Sequence, residues 1–500
     1  MTEELTADPT LGRLADAVLI PPFPDAVAPE WIRDALGDGL AGVTLFGPNV
    51  QDRTQLGRLV ASLRGAAAEP VIAIDEEGGD VTRLAHQTGS DYPGNAALGA
   101  VDDVTLTAAV YAALGDELAA LGINLDLAPA VDVNTAADNP VIGTRAFGSD
   151  PALVARHAAA AVAGLQSAGV AACAKHFPGH GSTSADSHLE LATVDAPLRV
   201  LRARDLPPFE AAIAAGVRAI MPSHLRIPEL TGDLPASLSR QAQTDLLRGE
   251  LGFTGVIVSD GLEMRAVSDQ YGIPEAAVQA VIAGTDLLCL GRDQDHLSFL
   301  AVRSAIVEAV RSGRLPGQRL EEAAARVAEL RAWTAAHART DRASDEARGA
   351  DAAAIGLAAA RRAISADGSL PALHRPLVIQ LVPPSNLAVG AVPWGLRPWL
   401  TDDSYREIST GTASAELPEL VNRLLAEADG RSLVVVARDA HRHPVASEAV
   451  SRLVAARPDT IVLEMGLPVW RPAAGRYLAS YGAARSNSRA AAEVLGLTAR

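Results

Sequence analysis

The chain has 500 residues, of which 43 are Lys or Arg and 60 are Asp or Glu, giving a net charge of −17. That average charge would repel a phosphate backbone, so nucleic acid is not an expected partner. Single domains usually hold about 100–200 residues and α/β barrels about 250 or more, so the length predicts two domains.

Short β-rich runs alternate with longer amphipathic runs through the first two-thirds of the chain. The sequence predicts eight strands, at Ala17–Ile20, Gly42–Phe46, Val71–Asp75, Asn124–Ala128, Ala171–His176, Ala219–Ser223, Val256–Ser259 and Asp286–Leu290. It predicts helices between them, for example at Gln51–Arg64, Asp103–Leu121, Pro151–Ser167, Arg199–Ala215 and Arg240–Leu251.

This alternation of strands and helices implies right-handed parallel crossovers. Eight such units within about 300 residues predict a TIM-like (β/α)8 barrel. An open doubly wound sheet is the alternative architecture. Its nucleotide-binding form is disfavoured, because no GxGxxG turn follows the first strand and no Walker loop occurs.

The remainder of the chain predicts a smaller second domain. A long helix, Leu320–Ala336, follows the last barrel strand, and the charged segment after it reads as a linker. Further elements are predicted at Pro376–Val382, Ser432–Ala437 and Thr460–Met465 (strands) and at Pro418–Ala428 and Pro444–Ala455 (helices). We therefore expect a barrel domain over residues 1–337, a linker over 338–351 and an α/β sandwich domain over 352–500.

The cysteines and the N-terminus bear on the cellular compartment. Cys173 and Cys289 each lie in an apolar run, which indicates buried thiols in a reducing compartment. The first residues are acidic and lack the basic start and apolar core of a signal peptide. No uninterrupted apolar run reaches about 18 residues, so no membrane span is expected. These features predict a cytoplasmic protein.

Polar residues collect where the predicted barrel strands end. They are Asp75, Lys175, His176, His224 and Asp260. In a barrel these carboxyl ends open onto one face, where active sites lie. The sequence therefore predicts a single functional site at that face.

The segment from Lys175 to His188, KHFPGHGSTSADSH, is the most informative about the chemistry of the site. Asp186 and His188 are close enough to pair, and a carboxylate on one imidazole nitrogen would make the other a competent general acid/base. The loop alone favours another interpretation, an aspartate that caps its own turn beside an exposed histidine. The histidine spacing matches neither HExxH nor a compact helical ligand set, so no metal is predicted.

Two other strand ends carry carboxylates. VIAIDEEGGDVTRL delivers Asp75, followed by Arg83, and the two could bind sugar hydroxyls or form a structural ion pair. GVIVSDGLEM ends in Asp260, which could be a nucleophile, a base or a helix N-cap. Residue type alone favours the N-cap.

Five blocks taken together resemble, in the same order, the signature segments of glycoside hydrolase family 3. They are IDEEGG, GTRAFGSDP, KHFPGHG with its following DSH, MPSHL and VSDGLEM. The resemblance runs from Leu40 to Leu290 and continues more weakly at GLAAARRAI in the second domain. The DSH loop is similar to that of the bacterial β-N-acetylglucosaminidase (β-N-acetylhexosaminidase) branch.

The resemblance implies a role for each matching residue. Asp260 is the expected nucleophile of a retaining glycosidase, with Asp186 and His188 as the pair that carries the proton. The residues expected to bind the sugar are Asp75, Arg83, Arg145, Lys175 and His176. No cofactor or metal is implied.

The expected substrate is a carbohydrate with a terminal β-N-acetylglucosamine, such as a muropeptide or chitin fragment of cell wall recycling. A phosphorylase of the same fold is an alternative, because a neutral histidine would repel an incoming phosphate less than a carboxylate would. A β-glucosidase and a non-catalytic sugar-binding protein are further alternatives. The expected assembly is a monomer or a weak homodimer, away from membranes and nucleic acid.

Overall fold

The computed structural model describes residues 9–186, 190–338, 345–385, 388–411 and 416–498. The chain folds into two compact units. The first comprises Met1–Glu77, Thr107–Val141 and Ser149–Gly349, and the second comprises Gly78–Leu106, Ile142–Gly148 and Ala350–Arg500. Two short segments from the first third of the chain thus group with the C-terminal part. The boundaries at residues 337 and 352 stay a prediction.

Within the described residues, the first unit contains eight short parallel strands, each inside or overlapping a predicted one. They are β1 Leu19–Ile20, β2 Gly42–Leu45, β3 Val71–Ile74, β4 Leu125–Asp126, β5 Ala171–Phe177, β6 Ala219–Pro222, β7 Val256–Ile257 and β8 Leu288–Cys289. Strands β2 to β7 form one sheet in chain order, and β1 pairs with β8.

Two contacts close this ring of strands. A parallel bridge joins Val258 to Leu287 beside β7 and β8. The Thr44 N–H of β2 donates a hydrogen bond of 3.3 Å to the Pro21 carbonyl, which follows β1. The predicted (β/α)8 barrel is confirmed.

Helices precede β1, occupy the connections between the eight strands and follow β8. They are α1 Pro9–Asp16, α2 Glu30–Asp38, α3 Arg53–Ala66, α4 Asn95–Val101, α5 Val104–Ala120, α6 Pro151–Ser167, α7 Leu198–Arg204, α8 Pro207–Ala214, α9 Pro228–Thr231, α10 Arg265–Tyr271, α11 Ile273–Ala283, α12 His296–Arg311 and α13 Gly317–His337. The segment Gln241–Glu250, predicted as an α-helix, forms a π-helix.

The helix predicted at Arg199–Ala215 divides into α7 and α8. Two prolines, Pro207 and Pro208, follow the break at Leu206. Proline has no N–H to donate and its ring clashes with the preceding helical turn, whereas it fits the first turn of a new helix. The single predicted helix was therefore wrong.

Small apolar side chains fill the barrel interior. One buried cluster takes every second residue of the strands, including Val71 and Ala73, Ala171 and Cys173, Ala219 and Met221, and Val256 and Val258. Ser223 continues the row of Ala219 and Met221, and the other three rows continue to Asp75, Lys175 and Asp260. Because side chains alternate between the two faces of a strand, these three extend the inward-facing rows at the carboxyl end of the barrel.

Helix α13 covers the opposite end of the barrel. Its Val327 and Leu330 belong to the same buried cluster. Arg331 of α13 donates from Nε to the Glu69 carbonyl at 2.8 Å, just before β3 begins. The amino-terminal end of the barrel is thus packed, and its carboxyl end is left for the site.

The second unit contains a six-stranded sheet within the described part of the chain. Its elements are α14 Asp345–Ala363, β9 Ser365–Ala366, β10 Leu377–Val382, β11 Tyr405–Ser409, α15 Leu417–Glu427, β12 Leu433–Ala437, α16 Pro444–Ala456, β13 Ile461–Glu464, β14 Arg476–Ala479 and α17 Arg485–Val494. The strand order is β11-β10-β12-β13-β14-β9, parallel except for β9.

Apolar side chains cover both faces of this sheet. Leu433 and Val435 pack with Val450 of α16, whereas Val434 and Val436 pack with Ala491 of α17. The predicted smaller α/β sandwich is therefore confirmed. Helix α14 begins inside the segment that we interpreted as a linker.

Among the described residues, no helix combines the length and the apolar character that crossing a bilayer requires.

Candidate active site

A lysine and two carboxylates form the centre of the site. Lys175 of β5 places its Nζ 2.6 Å from Asp75 Oδ1 and 2.8 Å from Glu77 Oε1. The side chains of Lys175 and Glu77 are each 3% exposed, whereas that of Asp75 is 23% exposed. Asp75 is thus the member that can meet a ligand, and Glu77 holds the lysine from the buried side.

The Asp132 carboxylate orients His176. Its Nδ1 lies 2.8 Å from Asp132 Oδ2, and the His180 N–H donates to Asp132 Oδ1 at 2.7 Å. Burial raises the pKa of Asp132, but the His176 imidazole and the hydrogen bonds outweigh it and bring the pKa below its ordinary value. The ionised carboxylate therefore fixes the imidazole and leaves Nε2 as its other polar atom.

Asp260 lies three residues after β7 and is half-buried. Its Oδ1 accepts a hydrogen bond of 2.8 Å from the Gly261 N–H. Buried His224 lies behind this turn, with Nε2 3.0 Å from the Gly261 carbonyl and Nδ1 2.6 Å from Ser237 Oγ. A carbonyl can only accept, so Nε2 donates, and His224 supports the backbone that presents Asp260.

Cys173 lies in the buried apolar cluster of the barrel, two residues before Lys175. Burial raises its pKa, and the nearby charges that act on it include Lys175, Asp75 and Asp260. A protonated thiol is a poor nucleophile, so Cys173 fills space and does no chemistry.

The loop after β5 is anchored as far as Asp186. A Cβ at Gly181 would come within 2.0 Å of the Val133 carbonyl, so this position requires glycine. Ser182 Oγ accepts a hydrogen bond of 2.9 Å from Arg204 Nη2. The Asp186 carbonyl accepts from the Glu190 N–H at 3.1 Å. His188 lies outside the described residues, so its pairing with Asp186 stays a prediction.

Arg83 and Arg145 belong to the second compact unit. Arg83 donates from Nη2 to the Ala388 carbonyl at 3.2 Å. Arg145 is buried, and its carbonyl accepts from Asn95 Nδ2 at 2.7 Å. Their place in a sugar site stays a prediction.

Sequence reasoning missed three buried carboxyl groups near the site. Glu77 and Asp132 hold Lys175 and His176. Asp126 is fully buried and its Oδ1 accepts the Glu76 N–H at 3.0 Å. Burial raises the pKa of Asp126 well above its ordinary value, and the Glu76 carboxylate adds to this, so the neutral acid is favoured.

One of these residues had a readable signal. Glu77 continues the alternation Val71, Ala73, Asp75 and so belongs to the inward-facing row. Asp132, by contrast, lies in an irregular segment after β4, where the sequence has no periodicity to show what its side chain meets.

Comparisons with known proteins identify the family of the chain. Residues 18–330 match the domain described as glycosyl hydrolase family 3 N terminal domain. Beta-hexosaminidase of Stenotrophomonas maltophilia is 40% identical over 266 residues, which are 52% of this chain and 77% of that protein. Beta-hexosaminidase A of Pseudoalteromonas piscicida is 35% identical over 318 residues, and the match spans 58% of this chain but only 53% of that relative.

A solved structure is similar over both units. It is a glycoside hydrolase family 3 β-N-acetylglucosaminidase from Paenibacillus, 33% identical, with a TM-score of 0.85 over 97% of this chain and 96% of that one. The family match covers more than half of the chain, and the structural match covers nearly all of it. The resemblance inferred from the five sequence blocks is thereby confirmed, and the chain belongs to glycosyl hydrolase family 3.

Proposed function

We propose that this chain is a retaining glycosidase that removes terminal β-N-acetylglucosamine through a covalent glycosyl-enzyme intermediate. The observation that carries the proposal is that the inward-facing rows of the barrel strands lead to Asp260, Lys175 and Asp75, of which the last two form an ion pair. A half-buried carboxylate beside fixed hydrogen-bonding groups is what a retaining glycosidase needs for its nucleophile. The β-hexosaminidase relatives and the Paenibacillus structure support the choice of sugar.

Each step of the reaction has a residue assigned to it. The Asp260 carboxylate attacks the anomeric carbon while the leaving oxygen takes a proton from His188. The now neutral His188 then takes a proton from water, and that water displaces Asp260 from the sugar. Asp186 would hold the imidazole in the required tautomer.

The five sugar-binding residues have distinct chemistry. Asp75 and Lys175 offer an acceptor and a donor for neighbouring hydroxyls, and His176 adds an imidazole nitrogen. Arg83 and Arg145 would add guanidinium donors. The natural substrate that we propose is a small muropeptide or chitin fragment of the cytoplasm, consumed by a monomer or weak homodimer.

The first experiment is turnover of 4-nitrophenyl β-N-acetylglucosaminide in buffers with and without phosphate, with identification of the sugar product. We expect free N-acetylglucosamine in both buffers and retention of the β configuration in the first product. Sugar 1-phosphate in the phosphate buffer would instead establish a phosphorylase. Binding of the sugar without turnover would establish a non-catalytic protein.

His188→Ala tests the proton donor. A nitrophenolate departs without protonation, whereas a sugar leaving group requires it, so the variant should lose much more rate on N,N′-diacetylchitobiose than on the nitrophenyl glycoside. We expect a difference of about 10²-fold or more between the two losses. Equal losses on both substrates would assign the acid to another residue.

A further inference from the structure

The carboxylate of Asp80, in the second compact unit, collects hydrogen bonds from three separate segments. Thr144 Oγ1 donates to Oδ2 at 2.6 Å, and Arg438 Nη2 donates to the same oxygen at 3.0 Å. The Ala483 N–H donates to Oδ1 at 3.0 Å. The Asp80 side chain is 3% exposed and that of Arg438 is 15% exposed, so water screens this pair only weakly.

These donors connect Asp80 to both arginines expected to bind sugar. Arg83 lies three residues after Asp80, and Arg145 follows Thr144 directly. Arg438 and Ala483 come from the C-terminal part of the chain, after β12 and β14 respectively. One carboxylate thus connects the two arginine-bearing segments to the C-terminal sheet.

The backbone around Asp80 leaves little freedom for another arrangement. Gly79 has a φ of +62°, and a Cβ there would come within 2.6 Å of the Gly94 Cα. The Gly79 N–H donates to the Tyr92 carbonyl at 2.9 Å. A turn so closely packed transmits a change at Asp80 to the residues that follow it.

We propose that Asp80 and Arg438 are positioning residues that hold Arg83 and Arg145 for sugar binding. This rests on the proposed function, and it gives the C-terminal part of the chain a task in the reaction. Neither residue needs to touch the sugar. Loss of their ion pair frees the turn at Gly79–Arg83 and the segment at Thr144–Arg145. The two arginines are then ordered only when substrate binds. The free-energy cost of ordering them weakens substrate binding.

The test compares Asp80→Asn and Arg438→Met with Arg438→Lys. Asp80→Asn keeps an oxygen acceptor at one of the two positions, and Arg438→Met keeps much of the side-chain volume. We expect KM for 4-nitrophenyl β-N-acetylglucosaminide to rise about 5- to 20-fold in the first two variants, while kcat changes less than about 3-fold. Arg438→Lys should restore part of the affinity, because the ammonium can still donate to Asp80.

The matched control is Arg361→Met, which removes an ion pair with Glu493 in the same unit. That pair is more exposed than the pair of Asp80 and Arg438, with side-chain exposures of 54% and 23%, and neither residue touches Asp80 in the described contacts. KM should be unchanged in this variant. The double variant Asp80→Asn/Arg438→Met should be no worse than the weaker-binding single variant, since both changes remove the same connection.

The outcomes separate this inference from the proposed function. Absence of turnover by the wild-type protein would overturn the proposed function itself. Wild-type turnover with unchanged KM in Asp80→Asn would overturn the positioning role alone. A rise in KM that Arg361→Met reproduces would also overturn it, because the effect would then be a general loss of stability. If Asp80→Asn or Arg438→Met fails to fold, the KM of Arg438→Lys is compared with that of the wild-type protein. This variant changes the ion pair less, so a smaller rise in KM is expected.

Discussion

Asp260→Asn is expected to lower kcat/KM by about 10⁴-fold or more while sugar binding survives. An amide cannot form the glycosyl ester, so the double displacement loses its first step. Asparagine has nearly the same volume as aspartate. It keeps an oxygen that can accept the hydrogen bond from the Gly261 N–H, which Asp260 Oδ1 accepts at 2.8 Å in the wild-type protein. Steady-state kinetics and calorimetric titration with N-acetylglucosamine measure the two quantities separately.

The matched control is Asp269→Asn, an exposed carboxylate of α10 that pairs with Arg265. This variant should retain wild-type rates. Asp260→Gly in the presence of azide provides a sharper check, because the small anion can enter the space left by the carboxylate. It should restore nitrophenol release and yield the α-glycosyl azide. A kcat/KM within 10-fold of wild type in Asp260→Asn would remove the nucleophile assignment.

The barrel could be predicted because its strands are short, buried and apolar. Each inner row, such as Val71 and Ala73 or Val256 and Val258, reads as a β-rich run with a polar residue at its end. That repetition, and the helices between the runs, define both the fold and the face that carries Asp75, Lys175 and Asp260.

The second sheet was only half predicted, for a physical reason. The strands that the sequence predicts, β10, β12 and β13, lie inside the sheet and are apolar on both faces. The missed strand β14 also lies inside the sheet, but it has only four residues. The two edge strands are different: β11 reads YREIS, with one buried residue, and β9 has only two residues. A strand that packs on few neighbours has few apolar residues, so hydrophobic periodicity does not find it.

The ion pairs inside the site were harder to predict than the residues that belong to the site. Lys175 and Asp75 are 100 positions apart in the chain, and the Asp80–Arg438 pair is separated by 358. Motifs identify which residues belong to a strand end, whereas the partner of each charge depends on how distant segments meet. Asp132 was missed for that reason, whereas the strand alternation places Glu77 in the inward-facing row without showing that Lys175 is its partner.

Lys175→Met should lower both activity and stability, because the lysine neutralises two carboxylates at once. Its Nζ lies 2.6 Å from Asp75 and 2.8 Å from Glu77, and Glu77 is almost fully buried. Removing the cation leaves like charges close together with little solvent, and breaking a buried pair in this way costs about 3–5 kcal/mol. Urea unfolding measures the free energy, and kcat/KM should fall by about 10³-fold.

The double variant Lys175→Met/Glu77→Gln separates the two effects. Glutamine removes the buried negative charge that the missing lysine leaves unpaired, so part of the lost unfolding free energy should return. Activity should not return, because Asp75 still lacks its cationic neighbour. The sugar also still lacks the hydrogen-bond donor that the Lys175 Nζ provides in the wild-type protein. Equal stability of the single and double variants would mean that Glu77 is not the residue whose charge the lysine balances. Recovery of activity in the double variant would mean that Lys175 acts on the reaction only through folding.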